Sequence, residues 1–202
     1  DWTPQEAPAP RLVALIDSVA AELGLDASGM RVDQFEATSA DGTKIPYFVV
    51  HKSDMALDGS NPTLLYGYGS YEANMDPYFS VFRLSLMDRG MIFAVAHVRG
   101  GGEMGRTWYD DGKMLKKKNT FTDFIDVADD LIARGVTTAD QMVAEGGSAG
   151  GMLMGAIANM APDRFTAIQA VVPFVDPLTS ILMPELPLTV PEWEEWGDRK
   201  EH

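Results

Sequence analysis

A serine flanked by glycines stands between two segments of different hydrophobic period, and this arrangement constrains the chain more than any other feature. The apolar run Gln141-Met142-Val143-Ala144 reads as a short strand. A helical stretch covers about Ala149 to Met160, and Gly146-Gly147-Ser148-Ala149-Gly150 lies between them. A strand that turns directly into a helix brings neighbouring backbone close, so side chains two positions either side of the serine would clash, and Gly146 and Gly150 remove them. Such a turn exposes Ser148 Oγ at the carboxyl edge of a sheet. It also places the Ala149 N–H at a helix start, aimed where negative charge can develop. The competing reading is a glycine-rich N-cap, with Ser148 bonding the first helical turn.

The surrounding pattern supplies a matching frame. Met30 to Ala37 and Ile45 to Val50 read as strands joined at Asp41-Gly42, a hairpin signal. Thr63-Leu64-Leu65-Tyr66 and Met91 to Ala96 are buried strands, Phe79 to Met87 and Phe121 to Ala133 are helices, and Phe165 to Val172 is a last strand. Strands alternating with helices predict an α/β fold with a mostly parallel sheet and flanking helices. Leu12, Leu15, Ile16, Val19 and Leu23 keep helical spacing after a Pro-rich opening, so residues 1–29 read as a separate helical segment and 30–202 as the α/β domain.

Composition narrows the class. Among 202 residues there is no cysteine, which excludes disulfides, thiolate metal sites and a cysteine nucleophile. A net charge of −14 argues against nucleic acid and anionic membranes as partners and favours a cationic one. No stretch approaches the roughly 18 apolar residues of a membrane span. The chain opens on Asp1 with no leader pattern, and a cytoplasmic location is the expectation.

A serine nucleophile needs a base. In this class of fold the order is serine, carboxylate, histidine. Only His202 follows Ser148, while His51 and His97 precede it, and His97 at the end of an apolar strand reads as structural. Asp176 and Asp198 are candidate carboxylates only by default. The expectation is a C-terminally truncated piece whose triad Asp and His lie elsewhere, so that the chain alone is inactive.

Five ordered motifs carry a resemblance. They are Tyr66-Gly67-Tyr68-Gly69-Ser70, His97-Val98-Arg99-Gly100-Gly101-Gly102-Glu103, Gly112-Lys113 with Lys116-Lys117-Lys118-Asn119, Gly146 to Gly151, and Glu192-Trp193-Glu194-Glu195-Trp196-Gly197. Together they resemble the catalytic domain of prolyl oligopeptidase-family serine peptidases, in particular the oligopeptidase B (protease II) branch, over about residues 30–198. The resemblance implies an α/β-hydrolase fold, lacking here the β-propeller that admits only short peptides, and no cofactor or metal. It implies Ser148 as nucleophile, with the Tyr68 hydroxyl and the Ala149 N–H as oxyanion donors. It further implies short basic peptides as substrates, cleaved after Arg or Lys, with Glu192, Glu194 and Asp76 as recognition carboxylates. Tyr78 stands where an acidic partner of Asp76 is expected. Read without the family, Tyr68 is a rim aromatic and residues 192–195 are a solvated acidic loop over Trp193 and Trp196.

Two other readings compete. Gly100 to Gly105 satisfies G-x-G-x-x-G after a strand, with Asp123 or Asp126 near the spacing of a ribose-binding carboxylate, which would make a dinucleotide-binding module. A catalytically incomplete interaction module of the same fold is the other. Lys116-Lys117-Lys118 reads as a solvated turn.

Overall fold

The computed structural model describes residues 29–76 and 80–197. The expected helix within residues 1–29 lies outside the described residues, apart from Gly29, as do Tyr78, Asp198 and His202. Six strands form one sheet: β1 (Met30–Thr38), β2 (Lys44–Lys52), β3 (Thr63–Tyr66), β4 (Ile92–Ala96), β5 (Met142–Gly147) and β6 (Ala167–Val171). Their spatial order is β1-β2-β4-β3-β5-β6. The β1–β2 and β2–β4 pairs are antiparallel, whereas β3–β4, β3–β5 and β5–β6 are parallel.

The hairpin forms where Asp41-Gly42 predicts it. Gly42 takes φ 87°, a left-handed value that glycine adopts without steric penalty, and the Thr43 N–H donates to Asp41 Oδ1 at 2.9 Å. Parallel strands need crossovers, and these are helical: α1 (Val81–Asp88), α2 (Arg106–Asp110), α3 (Lys118–Ala133) and α4 (Ala149–Met160), followed by α5 (Pro177–Ile181) and α6 (Trp193–Trp196).

The strand period of two divides the core. Ile45, Tyr47 and Val49 of β2 face a cluster with Leu65, Ala94 and Ala144, covered by Phe124, Val127 and Leu131 of α3 and Leu153, Met154 and Ile157 of α4. Val50, Leu64 and Phe93 point the other way, toward Met87 of α1. Fully burying a side chain such as Leu131 contributes about 1.5–3 kcal/mol. Helices therefore cover both faces, as the alternating pattern predicts.

Three boundaries differ from expectation. Helix α3 starts at Lys118, not Phe121, because a 3₁₀ turn at Met114–Lys116 leads Lys117 into right-handed helical geometry. Strand β5 continues through Gly147, so the serine follows the last paired residue. Strand β6 begins at Ala167, since Phe165 turns into the main core after a 3₁₀ turn at Pro162–Arg164. Among the described residues no helix is long and apolar enough to cross a membrane.

Candidate active site

Neighbouring parallel strands β3 and β5 end at the same edge of the sheet, and the residues that leave them form the site. Tyr66 pairs with Glu145, and the Gly67 N–H donates to the Glu145 carbonyl at 3.1 Å. Tyr68 and Ser148 therefore depart side by side.

Ser148 has φ 55° and ψ −116°, a backbone state that β-carbon-bearing residues rarely occupy. The surroundings hold it there. Its N–H donates to the Val171 carbonyl at 2.9 Å, and its own carbonyl accepts from Gly151 and Phe174, both at 2.9 Å. A β-carbon on Gly150 would lie 2.7 Å from the Gly67 carbonyl oxygen, and one on Gly146 would strike the Gly150 carbonyl. The glycines thus serve the close approach that the sequence predicts. Ser148 makes no side-chain cap hydrogen bond and is exposed, which removes the N-cap alternative. Ala149 is buried as the first residue of α4, so its N–H is one of the helix donors without an intrahelical acceptor.

Tyr68 is half-buried, and its ring centroid lies 6.4 Å from that of Tyr71. Burial raises the phenol's pKa, the charges of Tyr66 and Glu195 add to this, and the nearby Ser148 side chain works the other way. The hydroxyl is therefore held in its neutral form. Trp196 Nε1 donates to the Tyr71 hydroxyl at 3.1 Å, and burial together with the nearby Glu192 charge raises the pKa of that phenol.

The three expected recognition carboxylates are not gathered equally. Glu192, half-buried at the N-cap of α6, lies within electrostatic reach of both Tyr68 and Tyr71. Glu194 is exposed and acts on Tyr109. Asp76, also exposed, lies near His97 and Glu103. Trp196 packs beneath α6, as the sequence suggests.

Neither described histidine is hydrogen-bonded to Ser148. His51 Nε2 contacts Asp33 at 2.9 Å on the β1–β2 hairpin. His97 packs edge-on against Phe48, and burial lowers its pKa to about 4, so the ring is neutral and structural as expected. Asp176 caps α5 by accepting from the Thr179 N–H at 3.0 Å, a local structural role.

Two sequence readings are corrected. The Gly100 to Gly105 loop is not a phosphate cradle: a β-carbon on Gly101 would sit 3.0 Å from the Ala73 carbonyl, and one on Gly102 would sit 2.6 Å from Asn74 Oδ1. The following helix α2 has only five residues, and Asp123 is fully buried against Arg99. Lys117 is likewise no solvated turn residue. It is buried, donates to the Gly69 carbonyl at 2.6 Å and Ser70 Oγ at 2.5 Å, and pairs with Glu195 at 3.2 Å. A basic triplet gives no sign of which member turns inward, and Glu195 is hidden among equivalent carboxylates.

Residues 77–202 match the prolyl oligopeptidase family model. Dipeptidyl aminopeptidase BI of Pseudoxanthomonas mexicana is 54% identical over 179 residues, covering 88% of this chain and 25% of that protein. Protease 2 of Moraxella lacunata is 51% identical over 173 residues, 86% of this chain and 25% of the relative. Oligopeptidase B from Leishmania major superposes with a TM-score of 0.83 at 51% identity, over 88% of this chain and 25% of that one. The Trypanosoma brucei oligopeptidase B with covalently bound antipain gives 0.84, over 89% and 25%. The chain thus spans about a quarter of the length of these relatives, and its mixed sheet with helices on both faces is the α/β-hydrolase arrangement. With its serine turn between β5 and α4 set in that sheet, this chain belongs to the prolyl oligopeptidase family.

Proposed function

We propose that this chain carries the nucleophile and oxyanion site of a serine oligopeptidase that cleaves short peptides after Arg or Lys. The observation that carries the reading is Ser148, held exposed on a strained turn with Tyr68 leaving the neighbouring parallel strand beside it.

Ser148 Oγ attacks the scissile carbonyl and loses its proton to a histidine outside the described residues. The carbonyl oxygen, now an oxyanion, accepts from the Tyr68 O–H and the Ala149 N–H. Collapse breaks the C–N bond, the histidine returns the proton to the leaving amine, and water hydrolyses the acyl-enzyme by the same steps reversed in role. A propeller in the full-length protein would restrict entry to short peptides.

Negative charge at the site supports basic substrates. Glu192 is the best placed of the three carboxylates, since it acts electrostatically on both Tyr68 and Tyr71. A charge-assisted contact from it to a substrate guanidinium is worth about 1.5–3 kcal/mol. Glu194 and Asp76 would add charge at longer range.

The test uses the full-length protein with fluorogenic Arg and neutral peptide substrates. Ser148→Ala is expected to abolish turnover of both, and Glu192→Ala to raise KM for the Arg substrate alone. Turnover that survives Ser148→Ala overturns the nucleophile, and an equal KM effect on both substrates overturns the recognition role. The 202-residue chain by itself is expected to show no Ser148-dependent turnover.

A further inference from the structure

We propose that the buried Lys117–Glu195 pair is a positioning device that holds the Tyr68 hydroxyl at Ser148 and so sets the rate of the acyl-transfer step without touching substrate. This rests on Tyr68 being an oxyanion donor.

The pair grips three consecutive residues directly after Tyr68. Lys117 Nζ has three donors and meets three acceptors: the Gly69 carbonyl at 2.6 Å, Ser70 Oγ at 2.5 Å and Glu195 Oε1 at 3.2 Å. The other Glu195 oxygen, Oε2, accepts from the Tyr71 N–H at 3.1 Å. The ammonium also lies 4.9 Å from the Trp196 ring, whose Nε1 donates to the Tyr71 hydroxyl. Ser70 is completely buried, and Glu195 almost so.

This loop requires such a hold. Gly69, Tyr71 and Glu72 take φ of 72°, 60° and 55°, so the chain after Tyr68 follows left-handed geometry that costs about 1–3 kcal/mol at each non-glycine position. On its N-terminal side Tyr68 is fixed by the β3–β5 ladder. On its C-terminal side the backbone supplies bonds of 3.1 Å from Ala73 N–H to the Ser70 carbonyl and 3.2 Å from Glu72 N–H to the Gly100 carbonyl, and neither involves the Gly69 carbonyl or the Tyr71 N–H. Lys117 and Glu195 bond those two groups, and Lys117 also holds the Ser70 hydroxyl. Lys117 comes from the start of α3 and Glu195 from α6, the helix that Glu192 caps. The oxyanion loop is therefore tied to the main core on one side and to the recognition helix on the other.

The position of an oxyanion donor matters because its strength depends on aim at the developing charge. Removing the hold should slow chemistry more than it weakens binding. The experiment is a double-mutant cycle in the full-length protein on a neutral peptide substrate, so that acidic recognition is not read. Tyr68→Phe is expected to lower kcat about 100-fold, the scale of one lost oxyanion donor. Lys117→Met is expected to lower kcat about tenfold or more with KM within about twofold, and to add little on top of Tyr68→Phe. Lys117→Arg, which restores a cation, should recover part of the loss. Folding of each variant is read by near-ultraviolet circular dichroism. Should Lys117→Met not fold, the same cycle is read with Glu195→Gln, which keeps an acceptor for the Tyr71 N–H, and a smaller but still non-additive loss is expected. Losses that multiply with Tyr68→Phe, or a folded variant with unchanged kcat, overturn the positioning role alone. An unchanged kcat in Tyr68→Phe overturns the oxyanion assignment and this proposal with it.

Discussion

Arg99 and Lys117 are the arginine and the lysine buried among the described residues, and the fold holds them in opposite ways. The Arg99 guanidinium meets Asp123 through Nε at 2.9 Å and Nη2 at 2.6 Å, and Asp41 through Nη1 at 2.5 Å. Its own N–H also reaches Asp123, at 3.0 Å. The hydrogen bonds to Asp123 raise its pKa further, so it is charged at every accessible pH. A planar fork with two carboxylates locks the β1–β2 turn, the loop after β4 and α3 to one another. Lys117 has one carboxylate, a carbonyl, a hydroxyl and an indole face, and burial lowers its pKa to about 8 despite Glu195. The first pair fastens scaffold to scaffold. The second fastens scaffold to the loop that carries Tyr68, with much less electrostatic margin.

The largest effect should come from breaking the scaffold pair. Arg99→Met leaves Asp123 buried and uncompensated, and about 3–5 kcal/mol of unfolding free energy should be lost in urea titrations at pH 7. A loss below about 1 kcal/mol would show that the two pairs do not differ as described.

Next in size is the pH response of Lys117. Its folded pKa, about 8, lies below the ordinary 10.5, so between these values the unfolded chain binds a proton that the folded one has released. Stability contributed by this group therefore rises with pH across that window, by at most about 1.4 kcal/mol per unit. The difference in unfolding free energy between wild type and Lys117→Met, measured at pH 8 and pH 10, should widen accordingly. A constant difference would mean that Lys117 is held as firmly as Arg99.

An effect of similar size and opposite sign concerns a carboxyl that burial keeps from ionising. Glu103 Oε1 accepts from the Met75 N–H at 2.9 Å, but Oε2 has no partner among the described residues, and burial pushes the carboxyl's pKa up from 4.5 to about 7. Here the folded state keeps its proton longer, so stability falls as pH rises from 4.5 to 7. Glu103→Gln should flatten that slope, which is at most about 1.4 kcal/mol per pH unit. A slope identical in wild type and variant would assign the charge to solvent.

What the sequence reveals and what it conceals divide along the same line. The hairpin at Asp41-Gly42, the buried strands and the serine turn depend on local rules, namely period, glycine placement and order along the chain. Arg99–Asp123 and Lys117–Glu195 join residues 24 and 78 positions apart, and no local pattern separates Lys117 from Lys116 or Glu195 from Glu194. The family motifs point to Tyr68 as a donor but not to what holds it. Glu192 is legible as an acidic recognition candidate, whereas its nearness to Tyr68 and Tyr71 goes with a left-handed turn at residues 71 and 72 that neither residue type announces.

The backbone of Ser148 bears on how an inactive control should be made. Its φ of 55° penalises every residue with a β-carbon, so glycine at this position would relieve strain as well as delete the hydroxyl. Alanine keeps the β-carbon and the strain. Differences between the alanine protein and wild type then report on the missing oxygen, while the glycine protein would mix lost chemistry with a gain in folding stability.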